Sequence, residues 1–203
     1  MRPDVCAAGE EVFRREADAF LASLPAGWQE RWRRAVRQAA AGDGRALAEV
    51  RRSRNGMPPL PEGVRAVRIA PRMMLYVPAA PSASVTSVVP VSSAAHAASA
   101  SASGPLPLLV YFHGGGWVLG GIGSCARFCA ELAAAGHVLV LAADYRLAPE
   151  HPFPQGLDDC MRAVETALRR ASEWGGSPER VSVGGDSSGG NLALAVALRR
   201  RAE

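Results

Sequence analysis

A chain of 203 residues is long enough for one domain with a substantial core, since a domain of this size buries roughly 70% of the surface its unfolded form exposes. Hydrophobic residues at 48% and charged residues at 21% argue against both wholesale disorder and a membrane-embedded chain. The net charge of +4 rests on arginine alone, with no lysine. Near the start, Arg31, Arg33, Arg34, Arg37, Arg51, Arg52 and Arg54 alternate with Glu30, Asp43 and Glu49. No DNA-binding motif or aromatic-basic interleaving accompanies them, so they read as solvated helix faces and no nucleic-acid partner is expected.

Residues 10–52 carry a helical pattern: Val12, Phe13, Ala17, Phe20, Leu21 and Leu24 recur at spacings of three and four, and Trp28, Trp32, Ala35, Val36 and Ala39 repeat it. Pro25 and Gly27 divide the run. A third short helix is expected from Arg45 to Arg52, so residues 1–56 form a helical, cap-like segment that must pack on something else. Two short strands follow, Val64–Ile69 and Met73–Val77, joined through Pro71-Arg72. Residues 79–104, almost entirely Ser, Ala, Val and Pro with His96 among them, read as a flexible loop.

The remainder alternates regularly. Pro107–Phe112 is an apolar strand, Cys125–Ala135 a helix, and His137–Ala142 a second strand. Gly156–Trp174 is a helix, Arg180–Gly184 a third strand, and Ser188–Arg201 a last helix. Strand and helix in alternation imply an α/β fold with a mostly parallel sheet and right-handed crossovers. The four cysteines, Cys6, Cys125, Cys129 and Cys160, contain no Cys-x-x-Cys pair, and no metal is expected from them. With no signal-peptide core in Met1–Phe20 and no apolar stretch of spanning length, a reduced, cytoplasmic protein without a membrane span is expected.

Three segments carry chemistry. Gly185-Asp186-Ser187-Ser188-Gly189 lies between the third strand and the last helix. Gly-x-Ser-x-Gly in that setting forces the serine into a strained turn that lifts its hydroxyl above the sheet, and it leaves the next backbone amide at a helix N-terminus. The similar Gly-Asp-Ser-Gly-Gly of all-β serine proteases is excluded by the helix-forming Leu-Ala-Leu-Ala-Val that follows. His113-Gly114-Gly115-Gly116-Trp117 follows the first buried strand, and its three glycines let backbone amides face a bound group. No Gly-Lys-Ser/Thr follows, so it is not a P-loop, and His113 reads as a residue holding the loop rather than a base. Asp144 to Pro154 is a polar, proline-stiffened loop after the second strand, in which Asp144 and Glu150 read as structural.

Together the three segments resemble the hormone-sensitive-lipase group of α/β-hydrolases, which includes bacterial carboxylesterases, arylacetamide deacetylases and gibberellin-receptor relatives, over Pro105 to Arg200. The resemblance implies hydrolysis of small carboxylic esters with short or medium acyl chains and no cofactor. By position, it makes Ser187 the nucleophile and the amides of Gly115, Gly116 and Ser188 the oxyanion hole. His113, Gly114, Trp117, Asp144, Gly185 and Gly189 would support the site, and residues 57–203 would be the first part of the hydrolase domain.

In this fold the acid and histidine of the triad follow the nucleophile. Here sixteen residues follow Ser187, and His96, His113, His137 and His151 all precede it. The expectation is therefore a hydrolase fragment, inactive alone, whose Ser187 strand becomes an exposed sheet edge prone to aggregation. A non-catalytic small-molecule-binding module and a structural or nucleic-acid role for the basic helices are the alternatives.

Overall fold

The apolar runs become strands and helices largely where their periods place them. This computed structural model describes residues 26–79, 88–89 and 104–202, with a few positions between 11 and 23. Its elements are α1 (Trp28–Ala40), α2 (Gly44–Arg54), β1 (Val64–Ala70), β2 (Met73–Pro78), β3 (Val88–Val89), β4 (Leu106–Phe112), α3 (Ile122–Gly136), β5 (Leu139–Ala143), α4 (Gln155–Arg170), a 3₁₀ turn (Ala171–Trp174), β6 (Gly176–Gly185) and α5 (Ser188–Ala202). The apolar positions expected to form the first helix, most of residues 79–104, and His96 lie outside the described residues. Two units divide the chain, Met1–Val50 and Arg51–Glu203.

In the first unit, Gly27 precedes α1 in a left-handed conformation, and Trp32, Ala35 and Ala39 share one half-buried stripe of that helix. Asp43 caps the start of α2, accepting the amides of Arg45 and Ala46 on Oδ1 at 2.9 and 3.1 Å. A carboxylate there satisfies donors the helix itself cannot.

The second unit is a sheet in the order β3-β1-β2-β5-β4-β6. β5, β4 and β6 run parallel, while β2 pairs antiparallel with both β1 and β5. Alternation along the strands builds two cores. Leu108, Val110, Phe112, Leu139 and Leu141 join Cys160, Val164 and Ala167 of α4 and Leu192 and Val196 of α5 on one face. Tyr76, Tyr111, Val140 and Ala142 join Cys125, Cys129 and Ala133 of α3 on the other. Each fully buried leucine or valine in these layers contributes roughly 1.5–3 kcal/mol, so β4 and β5 are firmly fixed between helices.

Three boundaries depart from the sequence reading. His137 does not open a strand; it ends α3 in the left-handed conformation, φ 50°, and β5 begins at Leu139. β6 begins at Gly176, four residues earlier than expected, because its polar Ser177-Pro178-Glu179 start is masked by turn-type composition. Val88 and Val89 pair with Ala66 and Val67, a strand of two β-branched residues inside the segment read as loop. Among the described residues no helix is long and apolar enough to cross a membrane.

Candidate functional site

The sharpest turn in the second unit follows β6. Ser187 has φ 51°, a left-handed conformation that an L-residue adopts at a cost of about 1–3 kcal/mol unless its surroundings enforce it. Here they do. Gly189 packs so tightly beneath the end of β4 that a methyl group there would meet the Phe112 carbonyl carbon at 2.6 Å and the His113 oxygen at 2.7 Å. The Gly189 amide donates to the Asp186 carbonyl at 2.8 Å and the Asn191 amide to that of Ser187 at 3.1 Å, so the turn passes directly into α5. The Ser187 residue itself is exposed, and Ser188 after it is buried.

The glycine loop is bound to this turn by Asp186. Its Oδ1 accepts the Gly114 amide at 2.9 Å and the Tyr111 hydroxyl at 3.0 Å. Burial, and then this bond to a carboxylate, push the Tyr111 phenol well above its usual range, so it remains a donor. The sequence reading left Asp186 as the unspecified residue of Gly-x-Ser-x-Gly; only the fold shows that it ties two motifs together. Beyond Gly114 the loop turns through Gly115 at φ 128° and Gly116 at φ 62°, then Trp117 at φ 61°. Among the described residues the amides of Gly115, Gly116 and Ser188 donate to no protein acceptor. Backbone amides without a protein acceptor remain open to a ligand.

His113 lies wholly buried under the loop. Its ring stacks on Tyr145 with centroids 4.3 Å apart, Nδ1 lies 2.8 Å from the Gly114 carbonyl, and the Tyr145 hydroxyl donates to the His113 carbonyl at 2.8 Å. That places the Nδ1 proton toward Gly114 and leaves Nε2 facing Asp144 Oδ1, 3.7 Å away. Burial lowers the His113 pKa, against the pull of the Gly114 carbonyl and Asp144, and raises that of Asp144, against the pull of His113 and Arg72. Burial also pushes Tyr145 up to about 12. The Ser188 hydroxyl is buried without a hydrogen bond.

A strap absent from the sequence reading fixes the other side of the loop. Arg51 donates from Nε to the Val118 carbonyl at 2.8 Å and from Nη2 to that of Ala148 at 2.7 Å. It grips Glu150 with both terminal nitrogens, at 2.8 and 2.9 Å. Bidentate pairing of this kind fixes orientation as well as charge, and it holds Glu150 below the usual carboxylate range. Asn55 Oδ1 accepts the Gly123 amide at 2.6 Å where α3 starts. Arg146, bonded through its amide and Nε to Asp159 at 2.8 Å each, anchors the proline-rich loop to α4.

The structure thus brings His113, Gly114, Asp144, Gly185 and Gly189 together around the turn. Among the described residues no histidine is paired with Ser187: His113 is turned to Gly114, and His151 Nδ1 lies 3.1 Å from Gln155 Oε1. An apolar hollow of about 190 Å³ lies beside the first turns of α5, walled by Trp117, Tyr145, Phe153, Leu157 and Leu192. Among the described residues no cluster of His, Cys, Asp or Glu is arranged to hold a metal ion, and Cys125, Cys129 and Cys160 are free, buried thiols.

The family model for the α/β hydrolase fold matches residues 109–203, the stretch from mid-β4 through the turn and α5. This stretch is similar to the α/β-hydrolase family. Over 96 residues, 47% of this chain, the hydrolase segment is 46% identical to carboxylesterase NlhH of Mycobacterium tuberculosis. Over 97 residues it is 47% identical to carboxylic ester hydrolase LipN of the same organism. The matches span 30% and 26% of those relatives' own lengths. Among solved structures, the thermostable carboxylesterase EstE1 from a metagenomic library superposes with a TM-score of 0.55 at 28% identity, over 76% of this chain and 50% of that one. The fold is that of an α/β-hydrolase.

Proposed function

We propose that the chain carries the nucleophile and oxyanion hole of a serine carboxylic-ester hydrolase acting on small esters. The observation that carries this reading is the strained Ser187 beside three amides with no protein acceptor. Ser187 Oγ attacks the ester carbonyl carbon, and the carbonyl oxygen, now negative, is received by the amides of Gly115, Gly116 and Ser188. Collapse expels the alcohol and leaves an acyl group on Ser187, which water then removes. The apolar hollow beside α5 suits a short or medium acyl chain.

Both steps need a base to take the hydroxyl or water proton. Among the described residues none is paired with Ser187, so slow turnover is expected of this chain. The same observation favours a second reading, a module that binds esters without cleaving them. Incubation with p-nitrophenyl acetate and butyrate separates the two. The hydrolase reading expects a slow release of nitrophenol that Ser187→Ala abolishes; release unchanged by that substitution contradicts it, and saturable binding with no release favours the binding module.

A further inference from the structure

A second hollow, of about 750 Å³, opens in the Arg51–Glu203 unit where β2 begins and β5 ends. Those strands lie two and three places from β6 in the sheet, about 10–14 Å from the strand that presents Ser187. Its wall includes Arg51, Arg52, Asn55, Arg72, Asp144 and Glu150. The charges do not cancel in place. Arg51 and Glu150 satisfy each other, with the remaining Arg51 donors spent on the Val118 and Ala148 carbonyls. Asp144 directs Oδ1 toward the buried His113 ring.

Two guanidinium groups are left over. Among the described residues Arg52 and Arg72 form no ion pair within 4 Å; Arg72 donates to the Asp144 carbonyl at 3.4 Å, and its charge acts on the Asp144 carboxylate without pairing with it. Asn55 has its oxygen committed to the Gly123 amide, which leaves its NH₂ as donor. Two cationic forks and an amide donor lining one concavity match the multidentate acceptor geometry of an oxyanion.

We infer that this hollow binds a small oxyanion, a carboxylate or phosphate, through Arg52 and Arg72 with the Asn55 amide completing the set. Arg51 belongs to the wall rather than the ligand, since its donors are already used. The inference does not depend on the hydrolase reading: an anion held here is bound whether or not Ser187 reacts.

The test is calorimetric titration of the 203-residue chain with succinate and with inorganic phosphate, at ionic strength held constant with sodium chloride. Saturable binding of at least one anion is expected, with a Kd of about 1 mM or tighter. Arg52→Gln and Arg72→Gln should each weaken it about tenfold, the loss of one charge-assisted contact. Both side chains are exposed, so the variants should fold. Arg180→Gln, on β6 and outside the hollow, should bind as the unaltered chain does, and so should Ser187→Ala. Absence of saturable binding by either anion, or binding that survives the double Arg52→Gln, Arg72→Gln substitution, overturns the inference.

Discussion

β5 and β6 are parallel strands of one sheet, each paired with β4, yet they live in opposite environments. All five residues of β5 are buried, whereas Pro178, Glu179, Arg180 and Ser182 of β6 are exposed. α5, which β6 leads into, exposes Leu194 and Leu198 at 60% and 59%. The candidate site therefore stands on two unlike walls. Its inner wall, the glycine loop over β4, is fixed by close contacts and hydrogen bonds; its outer wall, β6 with α5, pairs only with β4 among the described residues. Parallel strands are ordinarily covered on both sides, and an open edge is a template for association.

The largest effect should come from breaking the contact between the two walls. Gly189→Ala places a methyl group against the backbone of Phe112 and His113, which cannot retreat without unseating β4. A loss of about 3 kcal/mol or more in urea denaturation is expected; a loss comparable to an ordinary surface substitution would mean that the turn is not clamped. Next is Asp186→Ala. It strands the Gly114 amide and the Tyr111 hydroxyl, costing about 1–3 kcal/mol, and hydrogen exchange at Gly114 should accelerate. Unchanged exchange would show that the loop holds its place without the elbow.

The third effect depends on pH. Burial keeps the folded-state pKa of His113 below its ordinary 6.5, so on acidification the unfolded chain takes up that proton first. Stability attributable to His113 is complete above about pH 6.5 and falls as pH drops toward the folded-state value, by at most about 1.4 kcal/mol per unit. Asp144 acts in the opposite sense: its raised pKa relieves the cost of its buried charge as pH falls through that value toward 3.8. Urea midpoints should decline from pH 6.5 to 5, and His113→Asn should flatten the decline. A slope unaltered by that substitution would remove His113 from the account. The smallest effect belongs to the outer wall, where Leu194→Gln with Leu198→Gln should shift stability by no more than about 0.5 kcal/mol. Light scattering should show less association; a large stability loss instead would mean that these leucines are packed.

The inner wall and the turn that meets it were also the more legible in sequence. Gly-x-Ser-x-Gly, the triple glycine and the apolar runs of β4 and β5 are local signals, because turn geometry and two-sided burial act within a few residues. Arg51 was read only as part of a basic helix face, since its partners Val118, Ala148 and Glu150 lie 67, 97 and 99 residues away. The bond from Gly123 to Asn55, 68 residues apart, likewise has no local signature. Asp186 sat in plain view inside the motif, but its value comes from Gly114 and Tyr111, which only the pairing of β4 with β6 brings near. The β6 boundary was misjudged because an exposed edge strand does not need the apolar alternation by which strands are recognised.

The central claim is that Ser187 is positioned for nucleophilic attack without a base beside it. Labelling with a fluorophosphonate, followed by mass spectrometry of the modified peptide, tests it most directly. The account predicts a slow reaction confined to Ser187 and lost in Ser187→Ala. Rapid labelling would contradict it, by showing that a base such as His113 or His151 already serves the hydroxyl, and so would modification at any other serine.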